Sequence, residues 1–94
     1  MDLTEEVKEF LHEKRLKDAK EINEEGYCKD FAEMIWRKYP EAELRATDIM
    51  DATIEGHYFI LNRKSGQYFD SESPMGVEKP ADLKYFKRRN DRRK

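Results

Sequence analysis

The chain has 94 residues and a single cysteine, which limits it to one small domain, residues 1–94, without an internal disulfide. Charged residues make up 43% of it, but five Phe, five Tyr and one Trp supply enough apolar surface to argue against disorder. A net charge of −2 excludes a molecule that binds polyanions over its whole surface.

The sequence also bears on the compartment. No apolar run approaches the roughly 20 residues that span a bilayer. The first six residues are acidic, unlike the basic start of a signal peptide. We therefore expect a reduced, cytoplasmic protein that has no membrane contact.

The first predicted element is a helix over residues 4–21, in an N-terminal segment 1–22. Thr4 is the expected cap, with acids in the first turn. The apolar stripe is narrow, so the helix should pack on one side and face water elsewhere. His12 lies off the stripe and is interpreted as a surface residue.

A second helix is predicted over residues 27–39. Pro40 ends it, because proline disfavours a helical residue before it and has no N–H. Apolar residues at helical spacing should make it the better-buried helix; they include Phe31, Ile35 and Trp36.

Cys28 lies in the first turn of this helix. Unpaired backbone N–H groups and the positive end of the helix dipole favour a thiolate there. Cys28 also shares the apolar face of the helix, so a small core residue is the alternative interpretation.

Three strands are predicted next. Residues 43–49 alternate imperfectly, and residues 53–62 are apolar on both faces near their end, as in a central strand. A turn signal at residues 62–66 precedes a short returning strand at residues 67–70. The whole pattern predicts an α+β domain: a buried helix carrying Cys28 on a three-stranded antiparallel sheet, plus an N-terminal and a short C-terminal helix.

The C-terminal part, residues 72–90, is predicted as a loop and a closing helix. Residues 71–80 contain two prolines and a glycine without periodicity, and Pro80 begins a short helix through residue 86. Residues 84–94 hold seven basic residues and one acid. We interpret the basic run from Lys87 to Lys94 as a solvated tail, with a tail for RNA or an acidic partner as the alternative. The last eight residues contain no aromatic, which disfavours single-stranded nucleic acid.

A thiol nucleophile needs a base, and the base needs an orienting acceptor. His57 lies in the clearest strand. If the hairpin loop is residues 62–65, Leu61 faces Gly66 and His57 faces Asp70, with Cβ atoms about 5 Å apart. Other loop types shift this register by one or two residues.

Other assignments are open for these residues. Asp48 and Asp51 are rival acids on or near the preceding strand. A purely structural His57–Asp70 pair is the alternative to a catalytic one. The sequence has no clustered metal-ligand set and no Gly-rich phosphate loop, so we expect no metal and no cofactor.

Residues 26–32, Gly-Tyr-Cys-Lys-Asp-Phe-Ala, resemble the cysteine motif of transglutaminase-like proteins, within the broader papain-like group. His57 in its strand and Asp70 at the end of the next strand match the family's order. The resemblance covers residues 23–71, the catalytic-type core. Two positions depart from it: the family's histidine is followed by Ala-Trp, here Tyr-Phe, and its acid by Pro-Thr, here Ser-Glu.

The resemblance implies a papain-like core in which Cys28, His57 and Asp70 form a triad. It implies a cysteine-dependent acyl-transfer enzyme (a peptidase, isopeptidase, amidase or deamidase) acting through a thioester on a protein or peptide. Asn23 is a candidate oxyanion donor beside the Cys28 N–H, and a turn residue otherwise. Tyr27 and Tyr58 are candidates for lining the cleft, or for core packing. The alternative function is a non-catalytic protein-binding module on the same scaffold, acting through its surface or basic tail.

Overall fold

A computed structural model describes residues 1–46 and 57–92, with side chains as far as residue 88. Its helices are α1 (Thr4–Lys14), α2 (Ala19–Glu24), α3 (Cys28–Lys38) and α4 (Lys84–Arg92). Its strands are β1 (Ala42–Ala46), β2 (Tyr58–Asn62), β3 (Tyr68–Asp70) and β4 (Ser73–Val77). The α+β class predicted from the sequence is confirmed.

The N-terminal segment forms two helices where one was predicted. Helix α1 ends because Arg15 adopts a left-handed conformation with φ 58°. Helix α2 then begins at an Asp18 cap, whose carboxylate accepts the Glu21 N–H at 3.1 Å. The predicted Thr4 cap is wrong, since Thr4 is already helical and the Asp2 carboxylate accepts its N–H at 2.9 Å.

Helix α3 packs on β1 and β2 and carries the centre of the core. Phe31 and Ile35 are buried as predicted, but Trp36 is 48% exposed. The helical period explains the difference, because Trp36 follows Ile35 by about 100° and turns out of the core face. Core residues from several elements meet beneath α3, including Leu3, Phe10, Ile22, Ile60 and Phe69.

Within residues 1–46 and 57–92 the sheet has four strands where three were predicted, in the order β1-β2-β3-β4, with each of the three pairings antiparallel. Strand β4 lies inside residues 71–80, which the sequence predicted as a loop. Its edge position tolerates Pro74, because a proline has no N–H to donate to a ladder. The irregular composition of β4 therefore hid a real strand.

The hairpin between β2 and β3 turns one residue later than predicted. Asn62 pairs with Gln67, and the Asn62 side chain accepts the N–H groups of Lys64 at 2.9 Å and Ser65 at 3.3 Å. Tyr68 consequently faces Leu61 and not Phe59, which is a register error of two residues.

The C-terminal segment extends further than the predicted short helix. A 3-10 turn, Pro80–Asp82, leads into α4, which continues to Arg92 through most of the basic run. Leu83 and Tyr85 are buried and fix the start of this helix on the domain. Within residues 1–46 and 57–92, no helix is long and apolar enough to cross a membrane.

Candidate functional site

Cys28 is the first residue of α3 and is half-buried. Burial would raise the pKa of its thiol, but a hydrogen bond to the His57 side chain and the backbone N–H groups of Tyr58 and Lys29 outweigh burial. The pKa of Cys28 therefore lies below its ordinary value. The position at the helix start acts in the same direction.

His57 and Asp70 form a buried pair. Nε2 of His57 lies 2.9 Å from Oδ2 of Asp70, and both side chains are almost completely enclosed. The other carboxylate oxygen of Asp70 accepts the Ser73 N–H at 2.8 Å, across the turn from β3 to β4. Both oxygens are therefore fixed, and the carboxylate has a defined orientation toward the imidazole.

The pair forms even though the predicted register is wrong. An error of one residue would turn a side chain to the other face of the sheet, whereas an error of two preserves the face. His57 and Asp70 are therefore diagonal neighbours and not directly opposed ones. Diagonal neighbours are still within reach of an imidazole.

The imidazole lies between the thiol and the carboxylate. Burial lowers the pKa of His57, but the hydrogen bonds to Asp70 and Cys28 outweigh burial, so the pKa is raised above its ordinary value. Because Nε2 is bonded to Asp70, Nδ1 is the ring nitrogen that would exchange a proton with the thiol. Each shift stabilises the charged form of its group, the thiolate of Cys28 and the imidazolium of His57.

Aromatic rings of α4 enclose His57, which is 0% exposed. The Tyr85 ring stacks on it with centroids 3.7 Å apart and an interplanar angle of 14°. The Phe86 ring meets it edge-on at 5.4 Å. The imidazole is thus enclosed by these two rings of α4.

The structure places the three other candidate site residues, Asn23, Tyr27 and Tyr58, in different surroundings. The side-chain amide of Asn23 donates to Oε2 of Glu72 at 2.7 Å, so it is already engaged with another side chain. The Tyr27 ring packs against Phe10 at 6.1 Å, which favours the core interpretation. Tyr58 contributes through its backbone N–H to the thiol, while its half-buried ring lies beneath Lys29.

The remaining histidine and acids have simple outcomes. His12 is exposed, as predicted. The rival acids Asp48 and Asp51 lie outside the described residues. Among the residues that the structure describes, no group of three or more His, Cys, Asp or Glu side chains could hold a metal ion.

Sequence reasoning missed a polar cluster beside the site. Two of the three guanidinium nitrogens of Arg88 donate to the Glu72 carboxylate, Nη2 at 3.0 Å and Nε at 3.3 Å. The third, Nη1, lies 3.6 Å from the Glu24 carboxylate. Glu72 thereby joins α4 to Asn23 near the start of α3. Arg88 is one of many bases in its segment, so charge alone could not distinguish it; its spacing of three from Tyr85 was the available signal.

Comparison with known proteins adds no relative: no family model, no curated protein and no solved structure matches this chain.

Proposed function

We propose that this protein is a cysteine-dependent acyl-transfer enzyme, a peptidase, isopeptidase, amidase or deamidase, with Cys28, His57 and Asp70 as its triad on a papain-like core. One observation carries the proposal. A half-buried thiol with a lowered pKa meets an imidazole whose other nitrogen is bonded, at 2.9 Å, to an oriented carboxylate. Nucleophile, base and orienting acceptor thus occur in the order that thiol catalysis requires.

The reaction would proceed in two steps. The Cys28 thiolate attacks an amide carbonyl, forming a C–S bond and an oxyanion; the C–N bond then breaks as the His57 imidazolium protonates the leaving amine. Water next attacks the thioester while His57 takes its proton. The C–S bond breaks, an acid leaves, and Cys28 and His57 are restored.

Asp70 would act by orientation. Its bond to Nε2 keeps that nitrogen protonated, so in the neutral ring Nδ1 is the acceptor that faces the thiol. The Cys28 backbone N–H at the helix start is the expected oxyanion donor. Asn23 would join it only after exchanging its bond to Glu72.

The test uses iodoacetamide and p-nitrophenyl acetate as probes. We expect Cys28 to be alkylated rapidly well below pH 8, because its thiolate persists below the ordinary thiol pKa of about 8.5. His57→Ala should slow labelling and move the pH profile to that of an ordinary thiol. Mass spectrometry should find an acetyl group on Cys28 that hydrolyses in the wild type and persists in His57→Ala.

The matched control is His12→Ala, which removes the exposed histidine and should leave both profiles unchanged. Slow labelling with an ordinary profile in the wild type, unaltered by His57→Ala, would refute the enzyme. The alternative function is a binding module that keeps His57–Asp70 as a structural pair. The enclosure of His57 by aromatic rings is the observation that favours this alternative.

A further inference from the structure

Helix α4 supplies two of the aromatic rings around His57. Tyr85 stacks on the imidazole at 3.7 Å, and Phe86 meets it edge-on at 5.4 Å. The third, Phe59, lies further away at 6.3 Å. The position of the imidazole therefore depends on how firmly α4 is docked.

Arg88 is the side chain of α4 that ties this helix to other elements by ion pairs, within the part of the helix whose side chains are described. It binds Glu72 through two nitrogens, and only 21% of its side chain and 9% of that of Glu72 are exposed. A bidentate pair with so little solvent contact is worth more than a surface ion pair. By contrast Lys87, one residue earlier and 63% exposed, lies 3.9 Å from Asp82, in the turn just before α4.

The same arginine contacts the ring that covers His57. Its guanidinium carbon lies 5.7 Å from the Tyr85 centroid, within the range of a cation–π contact. The sequence of contacts is thus Glu72, Arg88, Tyr85 and His57. Glu72 also accepts the Asn23 amide, so the same carboxylate contacts the chain just before Cys28.

We propose that the Arg88–Glu72 ion pair is a latch that holds α4 over the imidazole, and that the Cys28–His57 pair is assembled only while the latch is closed. Arg88 and Tyr85 are then positioning residues, which act on the reaction through the imidazole of His57. The inference rests on the proposed function and adds a means of regulating it.

Among the residues that the structure describes, three elements present titratable or charged groups to His57. Cys28 approaches from α3, Asp70 from β3, and the Tyr85 phenol from α4 with Arg88 behind it. When the Arg88–Glu72 ion pair is broken, Asp70 and Cys28 are still present, but the imidazole ring of His57 is free to move between them. A smaller fraction of thiolate below pH 8 is the expected consequence.

The experiment compares the pH profile of iodoacetamide labelling in full-length variants. Arg88→Ala should slow labelling at pH 6.5 by about threefold or more, since it removes a mostly enclosed, bidentate ion pair. Lys87→Ala is the matched control, with the same loss of charge on the same helix, and should leave the profile unchanged. Tyr85→Leu should resemble Arg88→Ala, whereas Tyr85→Phe, which keeps the ring, should resemble the wild type.

A second variant covers the case in which Arg88→Ala fails to fold. Glu72→Gln keeps an oxygen for Asn23 and a similar shape but removes the charge that holds Arg88, so it should also slow labelling. The latch would be overturned if the pH profiles of labelling for Glu72→Gln and for a folded Arg88→Ala coincided with that of Lys87→Ala. If His57→Ala nevertheless slows the labelling of Cys28, that result defeats the latch alone. If His57→Ala leaves the labelling rate unchanged, the proposed function itself is defeated.

Discussion

The Asp70 carboxylate is held at both of its oxygens, one by His57 at 2.9 Å and the other by the Ser73 N–H at 2.8 Å. Such a group cannot turn to satisfy a different tautomer of the ring. Asp70, at the end of β3, therefore orients the imidazole at Nε2, while the Tyr85 and Phe86 rings of α4 hold the rest of it.

Asp70→Asn tests this orientation. With the Asn oxygen kept on Ser73, its NH₂ group faces Nε2, so the neutral ring must carry its proton on Nδ1, the nitrogen that should accept from the thiol. We expect slower alkylation of Cys28 below pH 8 and a loss of about 1–3 kcal/mol in the free energy of unfolding. Labelling and urea denaturation measure the two effects, and an unchanged labelling rate would contradict the role of Asp70.

At the scale of elements, β4 depends on a close approach of backbone to ring. Gly76 has φ +89°, and a Cβ atom built there would lie 2.7 Å from Cζ of Phe69, a fully buried core side chain. The strand can thus cover Phe69 only because this position lacks a side chain.

Gly76→Ala should therefore destabilise the protein by about 1–3 kcal/mol, through overpacking added to backbone strain. Gly66→Ala is the matched control, since Gly66 also has a positive φ, 73°, but a Cβ atom there would meet nothing within 4 Å beyond its chain neighbours. Urea midpoints with equal slopes would compare them. Equal losses for the two variants would show that packing on Phe69 contributes nothing.

The sequence predicts α3 and the β2–β3 hairpin better than it predicts the register between the strands. Helix α3 was predictable from its apolar spacing and Pro40, and the hairpin from its turn residues. Its register was not, because the Asx turn of Asn62 moves the loop by one residue. The His57–Asp70 contact was predictable all the same, since that error preserves the sheet face.

The remaining features were hidden for a different reason. Glu72, Tyr85 and Arg88 come together only through tertiary packing of α4 against the β3–β4 turn. Each is ordinary for its segment: an acid beside a turn, an apolar residue in a closing helix, and one base among several. Local patterns carry no signal of which of them will meet.

At the scale of the whole molecule, Glu6 joins α1 to the C-terminal end of α3. Its carboxylate is buried, accepts the Tyr39 hydroxyl at 2.6 Å and binds the Lys38 ammonium at 3.0 Å. Burial raises the pKa of Glu6, but these two hydrogen bonds outweigh it, so the pKa lies below its ordinary value. A carboxyl with a depressed pKa stabilises the fold above its unfolded pKa of about 4.3, and this stabilisation is lost as pH falls through the folded value.

Glu6→Gln should accordingly reduce the free energy of unfolding at pH 7 and matter less near pH 3, below the unfolded pKa of about 4.3, where part of this stabilisation is lost. Urea denaturation at the two pH values measures the difference. Glu5→Gln, on an exposed neighbour that lies 3.7 Å from Lys8, is the control and should change little at either pH. A Glu6→Gln loss of equal size at both pH values would mean that shape alone, and not charge, holds α1 to α3.

His57 should give the opposite dependence on pH. Its folded pKa is raised, so its stabilisation is complete below the unfolded pKa of about 6.5 and is lost as pH rises through the folded value. We expect the difference in unfolding free energy between wild type and His57→Gln to be larger at pH 5.5 than at pH 9.5. His12→Gln, at the exposed histidine, is the matched control variant. A wild-type advantage that grows toward alkaline pH would mean that the buried ring is held neutral, and the thiolate–imidazolium pair would then be excluded as the resting form of the site.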